Sequence, residues 1–209
     1  MPELPEVETI RKQLSEVLPL KVLACTLSQH INGIAHTPIN LDNRVIQSIH
    51  RKGKLLYFKL DQEEYLLSHL RMSGQWRIAD TPPQDKLAVK HTHLLIKHAS
   101  GVLAYVDPRR FGHMYQLNQN DTQDKLNALG ADLSSDEYTL SYLTQTIKRY
   151  PQRMIKVHLL DQKLYAGSGN YIVNEMCARA GILPMRKNKS LSKKEIKALY
   201  HATRVVIEG

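Results

Sequence analysis

Two residues at the start of the chain, Pro2 and Glu3, are of the types needed for nucleophilic and acid–base chemistry. They stand in MPELPEVET, where two prolines and three glutamates fall within nine residues. Removal of Met1 would expose the secondary amine of Pro2, and terminal amines titrate near about 8, against about 10.4 for lysine. Such an amine attacks an aldehyde-like carbon and forms an iminium, which permits elimination at the neighbouring carbon. Glu3 can protonate a ring oxygen or leaving group. An ordinary frayed terminus is the alternative that this motif alone leaves open.

Two glycine-containing turns carry a second set of candidate residues. They are SHLRMSG, residues 68–74, and DPRRFG, residues 107–112, from which Met72, Arg109 and Phe111 could protrude. An arginine with apolar wedges is what a protein needs to unstack a base pair and occupy the vacated space. Taken singly, a Met or Phe near a turn is as readily explained as part of a hydrophobic core.

A third motif, AGSGNYIVNE at residues 166–175, predicts a helix that begins at Asn170 after a tight turn flanked by Gly167 and Gly169. Backbone amides at a helix N-terminus, with the Asn amide, make a phosphate site. An ordinary capped helix fits the same residues.

Basic and imidazole side chains complete the candidates. Lys54 lies in a basic run around a predicted hairpin, and Lys156 precedes HLLDQ. The HTH spacing predicts His91 and His93 on one face of a strand, a possible metal pair, but no third ligand is evident, so we expect no bound metal. Each of these side chains is also simply explained as a solvated charge or a hydrogen-bonded histidine.

Charge and cysteine content restrict the class of protein. Lys and Arg outnumber Asp and Glu by 29 to 20 in 209 residues, which suits a polyanionic partner such as nucleic acid as well as a merely basic soluble protein. The two cysteines, Cys25 and Cys177, form no CxxC pair, so a zinc ribbon and a disulfide scaffold are not expected. No apolar run approaches the length of a membrane span.

The elements that must position these residues fall into two groups. Apolar spacing predicts a helix over residues 5–18. Short β-prone runs between residues 21 and 117, broken by glycine and proline turns, predict a β-sandwich. From residue 121 the pattern is helical. We therefore expect an α+β chain with a boundary in NQNDTQD, giving domains at 1–120 and 121–209.

These motifs together resemble the formamidopyrimidine-DNA glycosylase family of base-excision repair enzymes. The resemblance covers the chain from residue 1 to about 209 and rests on MPELPEVET, KGKLLYF, HLRMSG, DPRRFG and LDQKLYAGSGN. It implies an N-terminal helix and β-sandwich followed by a helical domain with a helix-two-turn-helix, and DNA bound in the cleft between them. It also implies a cytoplasmic, nucleoid-associated monomer that acts on double-stranded DNA containing oxidised bases or abasic sites.

The resemblance also implies roles for individual residues. Pro2 matches the Schiff-base nucleophile, Glu3 the general acid/base, and Lys54 a catalytic-site lysine that contacts phosphate beside the lesion. The void-filling wedge corresponds to Met72, Arg109 and Phe111. Phosphate contacts correspond to His91, Arg110 and Asn170, and Lys156 matches a lysine near the lesion pocket.

The implied reaction is excision of oxidised purines, typified by 8-oxoguanine and formamidopyrimidines, followed by β and δ eliminations, with no redox or nucleotide cofactor. Leu4 favours this purine branch, because the related oxidised-pyrimidine enzymes usually have Gly there.

The sequence departs from the family pattern at its end. Most bacterial members continue into a four-cysteine zinc finger that supplies an arginine to the lesion phosphate, and the two cysteines here cannot form it. We expect a fragment or truncated form, with a natural zincless member or a degenerate one as alternatives, and therefore poor turnover. Tyr171, where relatives usually have Ile, is a smaller departure. A non-catalytic binder of damaged DNA and an RNA-binding protein are the rival functions.

Overall fold

The chain divides into two compact units. A computed structural model describes residues 2–208, with side chains through residue 207. The first unit contains residue 2 and residues 6–124, and the second contains residues 3–5 and residues 125 onward. Met1, whose removal would expose the amine of Pro2, lies outside the described residues.

The N-terminal helix α1 is Leu4–Ser15, shorter at its end than the predicted 5–18. Leu4, Val7 and Leu14 are buried at helical spacing. The helix ends early because the chain tightens into i to i+3 turns: the Leu18 amide donates to the Ser15 carbonyl at 3.3 Å. Pro19 follows and has no amide to continue the ladder.

Two antiparallel sheets make up most of the first unit. One contains, in chain order, β1 (Leu20–Lys21), β3 (Val45–Lys52), β4 (Leu55–Leu60), β5 (Glu64–His69) and β9 (His113–Asn118), and these lie side by side in that order. The other contains β2 (Ala24–Leu27), β6 (Gln75–Ala79), β7 (Thr92–His98) and β8 (Gly101–Val106), in the spatial order β2, β7, β8, β6.

The two sheets share one hydrophobic core, as the predicted sandwich requires. Phe58 of β4 meets Trp76 of β6 at a ring separation of 5.0 Å, and Trp76 meets Tyr105 of β8 at 5.4 Å. The Trp76 indole N–H is satisfied by the buried Ser68 hydroxyl at 3.0 Å. A short 3-10 turn, Ile31–Gly33, adds Ile31 and Ile34 to this core.

A short helix lies between two of the predicted strands, in a stretch for which the sequence predicted no helix. Helix α2 is Lys86–His91, and the Asp85 carboxylate caps it by accepting from the amides of Leu87 and Ala88 at 2.9 and 3.0 Å. His91 is the last residue of this helix. The prediction that His91 and His93 share one face of a strand is therefore wrong, because β7 begins only at Thr92.

Helices dominate the rest of the chain. They are α3 (Gln119–Asn127), α4 (Leu140–Arg149), α5 (Ile155–Leu159), α6 (Asn170–Arg179) and α7 (Lys193–Glu208), with a 3-10 turn at Asn188–Ser190 before α7. Two short parallel strands, β10 (Ala131–Asp132) and β11 (Tyr165–Ala166), pair between them. The predicted boundary stretch, residues 118–124, is mostly the start of α3. Within the described range, no helix is both long and apolar enough to cross a bilayer.

The second unit has its own core, built around the interlocked rings of Tyr138 and Tyr165 at 6.1 Å and near-perpendicular planes. The buried hydroxyl of Tyr138 pairs with that of Thr203 of α7 at 3.0 Å. The predicted α+β class is confirmed, with a β unit first and a helical unit second.

Replacing Leu66 by Ala tests the sandwich core. Leu66 is fully buried, so the lost contacts and the residual cavity should lower the free energy of unfolding by about 2–5 kcal/mol in urea denaturation. Leu87→Ala is the control: that side chain is 66% exposed, and the change should stay within about 0.5 kcal/mol. Equal losses from the two variants would contradict the burial.

Candidate active site and nucleic-acid interface

The carboxylate of Glu3 caps helix α6. Its Oε1 accepts the amide N–H of Tyr171 and its Oε2 that of Ile172, both at 2.9 Å. The first amides of a helix have no partner within the helix, and the positive end of the helix dipole lies there. Gly169, the N-cap residue, has no side chain to serve them. A carboxylate distant in sequence therefore takes the place of the usual side-chain cap, and only 7% of Glu3 is exposed.

Gly169 leaves just enough room for this carboxylate. A Cβ atom at residue 169 would lie 2.1 Å from the Glu3 carboxyl carbon and 2.3 and 2.5 Å from its oxygens. Asn170 follows as the first residue of α6 and is exposed, in agreement with the predicted helix start. The AGSGN turn thus places Glu3 and Asn170 at the same helix terminus. Pro2, next to Glu3 in the chain, is half-buried.

Lys54 lies at the turn between β3 and β4 and is 7% exposed. The turn is ordered by Arg51, whose guanidinium donates to the Glu8 carboxylate of α1 at 3.0 Å and to the Gly53 carbonyl at 2.8 Å. The charge of the buried Lys54 ammonium affects the pKa of His69, the last residue of β5. Burial first, then the charges of Arg71 and Lys54, lowers the pKa of His69 to about 4.

The predicted wedge residues lie together in the β unit. The side chains of Met72 and Phe111 are each 47% exposed, and the Arg109 guanidinium lies 4.5 Å from the centre of the Phe111 ring, a cation–π contact. Met72, Arg110 and Phe111 line one surface cavity of about 380 Å³, with Arg71 and His113 beside them. The cavity therefore places the two apolar side chains of the predicted wedge next to two arginines, Arg71 and Arg110.

Both wedge side chains follow an arginine with a left-handed backbone. Arg71 has φ of 53° and precedes Met72, and Arg110 has φ of 55° and precedes Phe111. This conformation costs a residue with a side chain about 1–2 kcal/mol. Such strain persists only where the surroundings hold it, and it collects at functional sites.

Asp107 holds both turns. Its buried carboxylate accepts from the Ser73 hydroxyl at 2.5 Å in the first turn, and from the amides of Gly112 at 2.8 Å and Arg109 at 3.3 Å in the second. One carboxylate therefore ties the loop of Met72 to the loop of Arg109 and Phe111.

The glycines that end the SHLRMSG and DPRRFG motifs are needed for the same steric reason, which is the position of the Tyr105 side chain. A Cβ at Gly74 would lie 2.3 Å from the Tyr105 hydroxyl oxygen, and one at Gly112 would lie 1.8 Å from it. Both turns therefore pack against one buried ring of β8, which adds to the Asp107 link between them.

The two histidines of the HTH motif act structurally in different ways. The Nε2 atom of His93 lies 3.0 Å from the Asp107 carbonyl, which can only accept, so Nε2 carries the proton and Nδ1 accepts from the Ser28 hydroxyl at 2.9 Å. With both nitrogens engaged, His93 is no metal ligand. The half-buried His91 uses its carbonyl to accept the Asp107 amide at 2.9 Å. Its position at the edge of the DPRRFG turn suits it for a surface contact.

Lys156 lies on α5, in the helical unit, and is half-buried. Its amide donates to the Pro184 carbonyl at 3.1 Å. Helix α5 is only five residues long. Lys156 lies near the thiol of Cys177 on α6. Burial raises the pKa of that thiol, and the charge of the Lys156 ammonium opposes the rise. Lys156 and Asn170 thus lie on contacting helices of one unit.

No zinc site fits the residues present. Across the described part of the chain, no three His, Cys, Asp or Glu side chains are placed to hold a metal ion. Cys177 is buried in the helical core, and the half-buried Cys25 lies on strand β2 of the β unit.

Comparison with known protein families identifies the family to which this chain belongs. The formamidopyrimidine-DNA glycosylase N-terminal domain matches residues 1–114, and the helix-two-turn-helix (H2TH) domain of the same enzymes matches residues 129–209. This chain belongs to the formamidopyrimidine-DNA glycosylase family. The expected enzyme class, a DNA-binding glycosylase of base-excision repair, is confirmed at the level of that family.

Individual relatives agree. The formamidopyrimidine-DNA glycosylase of Oceanobacillus iheyensis is 36% identical over 208 residues, covering 95% of this chain and 72% of that protein, and that of Bacillus subtilis is 36% identical over 96% and 74%. The Lactococcus lactis enzyme, solved bound to DNA containing an AP site, superposes with a TM-score of 0.88 at 29% identity, over 99% of this chain and 82% of that one. The Thermus thermophilus enzyme gives 0.85 at 31% identity, over 99% and 75%.

Sequence reasoning missed Asp107 and Ser73. Both stand inside motifs that were quoted for their arginines and apolar residues. An Asp directly before a Pro-containing turn commonly bonds the backbone two residues on, as Asp107 does with Arg109, so the signal was present. The bond to Ser73 joins residues 34 apart and had no local signal.

Asp107→Asn tests the link between the turns. The amide would place an N–H group against one of the donors that the carboxylate now accepts, so we expect the free energy of unfolding to fall by about 1–3 kcal/mol. We also expect the methyl NMR signal of Met72 to shift and broaden. The control is Asp136→Asn, an exposed carboxylate of the helical unit. An unchanged Met72 signal with unchanged stability would remove Asp107 from this role.

Proposed function

We propose that this chain excises oxidised purines from duplex DNA as a bifunctional glycosylase and AP lyase, with Pro2 as the nucleophile. The observation that carries the proposal is the fixed carboxylate of Glu3, held by two amides of α6 directly after Pro2 in the chain. A buried, rigidly placed carboxylate beside a terminal secondary amine supplies an acid and a nucleophile at adjacent positions.

The proposed reaction begins at C1′ of the damaged nucleotide. The Pro2 nitrogen forms a bond to C1′ while the bond to the base breaks, and the base leaves with its electron pair and takes up a proton. Proton transfer to the ring oxygen, assigned to Glu3, opens the sugar and gives the iminium. Loss of a C2′ proton then expels the 3′ phosphate, and a second elimination expels the 5′ phosphate. No step takes a cofactor.

The other residues bind and position the DNA. The buried Lys54 neutralises a phosphate beside the lesion, and His91, Arg110 and Asn170 contact further phosphates. Met72, Arg109 and Phe111 fill the gap left when the damaged base turns out of the helix, which favours the flipped state by replacing lost stacking. Lys156 lies near the lesion pocket. The protein acts as a monomer.

The assignment to purines is supported by Leu4, at the position where the related oxidised-pyrimidine enzymes usually have Gly. Leu4 is 2% exposed and packs into the core of the helical unit, so it sets the backbone path just after Glu3. Residue 4 thereby influences where the acid and the nucleophile are held.

Borohydride trapping tests the nucleophile and the acid together. With a duplex carrying 8-oxoguanine opposite cytosine, we expect a covalent adduct that mass spectrometry maps to Pro2. Glu3→Gln should reduce that adduct by about 100-fold or more, as expected when a general acid is removed, and leave trapping on a preformed abasic site less affected. Glu6→Gln, at an exposed site on the first turn of α1, should stay within about twofold.

Two results would contradict the proposal. An adduct at a lysine would assign the nucleophile elsewhere. No adduct, with the same duplex still bound, would favour an inert binder of damaged DNA over an enzyme.

Gly169→Ala tests whether the position of the Glu3 carboxylate matters, because it leaves Glu3 itself in the sequence. The added methyl group would overlap the carboxylate, so we expect base excision to slow by about 10-fold to 100-fold, as small misplacements of reacting groups do. Binding to a duplex with a stable abasic analogue should change by less than about threefold. Asn174→Ala, at an exposed site on the same helix, is the control. Excision at the normal rate in Gly169→Ala would show that this placement is not required.

A further inference from the structure

The helical unit contains a cavity that the proposed reaction does not use. It has a volume of about 520 Å³ and lies between α4, the 3-10 turn before α7, and the start of α7. Glu3, Lys156 and Asn170 do not line it. Pockets of this size commonly bind ligands, so this cavity is a candidate for a second binding site.

The floor of the cavity is apolar. Its residues are Leu140, Ile147, Pro151, Leu191 and Ile196. Ile147, Leu191 and Ile196 also belong to the core of the unit, so the floor is continuous with that core. An occupant gains most by placing a bulky apolar group on it.

The rim is basic. It consists of four exposed lysines: Lys148, Lys189, Lys193 and Lys197. No Asp or Glu lines the cavity, and within the described residues none of these lysines forms an ion pair. The nearest acid along α7, Glu195, is engaged with Arg186 and with Ser192 and does not neutralise the rim.

We propose that this cavity is a docking site for an acidic peptide segment of a partner protein, with one large apolar side chain on the floor and carboxylates at the lysines. The complementarity of charge and the apolar floor together select this occupant. Duplex DNA satisfies the lysines only, because its bases are stacked inside the helix and leave the floor empty. A peptide with flanking Asp or Glu and a single Phe satisfies both parts.

The test uses a fluorescein-labelled peptide of six aspartates and one serine followed by a C-terminal Phe, with binding measured by fluorescence anisotropy at low salt. We expect saturable binding that weakens as salt rises. Replacing the Phe by Ser should weaken it by about 10-fold, and replacing the aspartates by Asn should abolish it. A peptide that binds equally well without its Phe would overturn the proposal.

Protein variants locate the site. Lys193→Glu with Lys197→Glu reverses two rim charges and should weaken peptide binding by about 10-fold or more. Lys187→Glu with Lys194→Glu is the charge-matched control, since both lysines are exposed and lie outside the cavity, and it should change binding by less than about threefold. Thr144→Phe, which fills the cavity from α4, should block the peptide without altering the charge.

The remaining outcomes are decisive. If the double rim variant and the double control variant weaken peptide binding equally, the attraction is non-specific and the proposal fails. If the double rim variant weakens only the binding of undamaged duplex DNA, the lysines belong to the DNA surface and the proposal also fails. Neither result depends on glycosylase activity, which is measured separately.

Discussion

The carboxylate of Glu3 at the N-terminus of α6 is the interaction on which the candidate chemistry depends. Two helix amides need an acceptor there, Gly169 has no side chain to supply one, and the carboxylate that accepts from them belongs to the third residue of the chain. The same contact therefore completes a helix and fixes a terminus that would otherwise fray. Leu4 reinforces it by packing into the core of the helical unit. A terminal amine can act in catalysis only if its neighbours hold it in one place, and the cap and the buried leucine fix the two residues that follow Pro2 in the chain.

The surface that carries Met72 and Phe111 is also held in place by a few shared contacts. Two turns from different parts of the sequence each expose one apolar side chain after an arginine in the left-handed region. Neither turn is regular structure, and each holds a strained residue. What opposes the strain is shared: the Asp107 carboxylate bonds to both turns, and their closing glycines pack on the Tyr105 hydroxyl. Because the two loops share their supports, Met72 and Phe111 are held on one surface and line one cavity.

The sequence was most informative where local pattern decides structure. The short strands of the sandwich, the early helix and the start of α6 at Asn170 follow from periodicity and turn residues. Its failures have physical causes. Helix α2 was missed because its formation depends on the Asp85 cap and not on apolar periodicity, and Leu87 and Val89 are both exposed in it. The early end of α1 was missed because tight turns there compete with the helical ladder. The role of Asp107 depends on a partner 34 residues away, which no local pattern encodes. The motif residues were found by their joint resemblance to a family, since each alone had an ordinary explanation.

The source of positive charge beside the wedge also follows from the structure. Histidines are frequent near the two turns, and an imidazole could in principle supply a titrating charge to bind phosphate. Burial lowers the pKa of His93, and burial with nearby cations lowers that of His69 to about 4. Both are therefore neutral near pH 7 and serve as hydrogen-bonding groups. The positive charge at this surface is supplied instead by guanidinium groups, those of Arg71 and Arg110 at the cavity and that of Arg109 beside the Phe111 ring. The attraction that this surface offers a polyanion thus depends on its guanidinium groups and not on the imidazoles of His69 and His93.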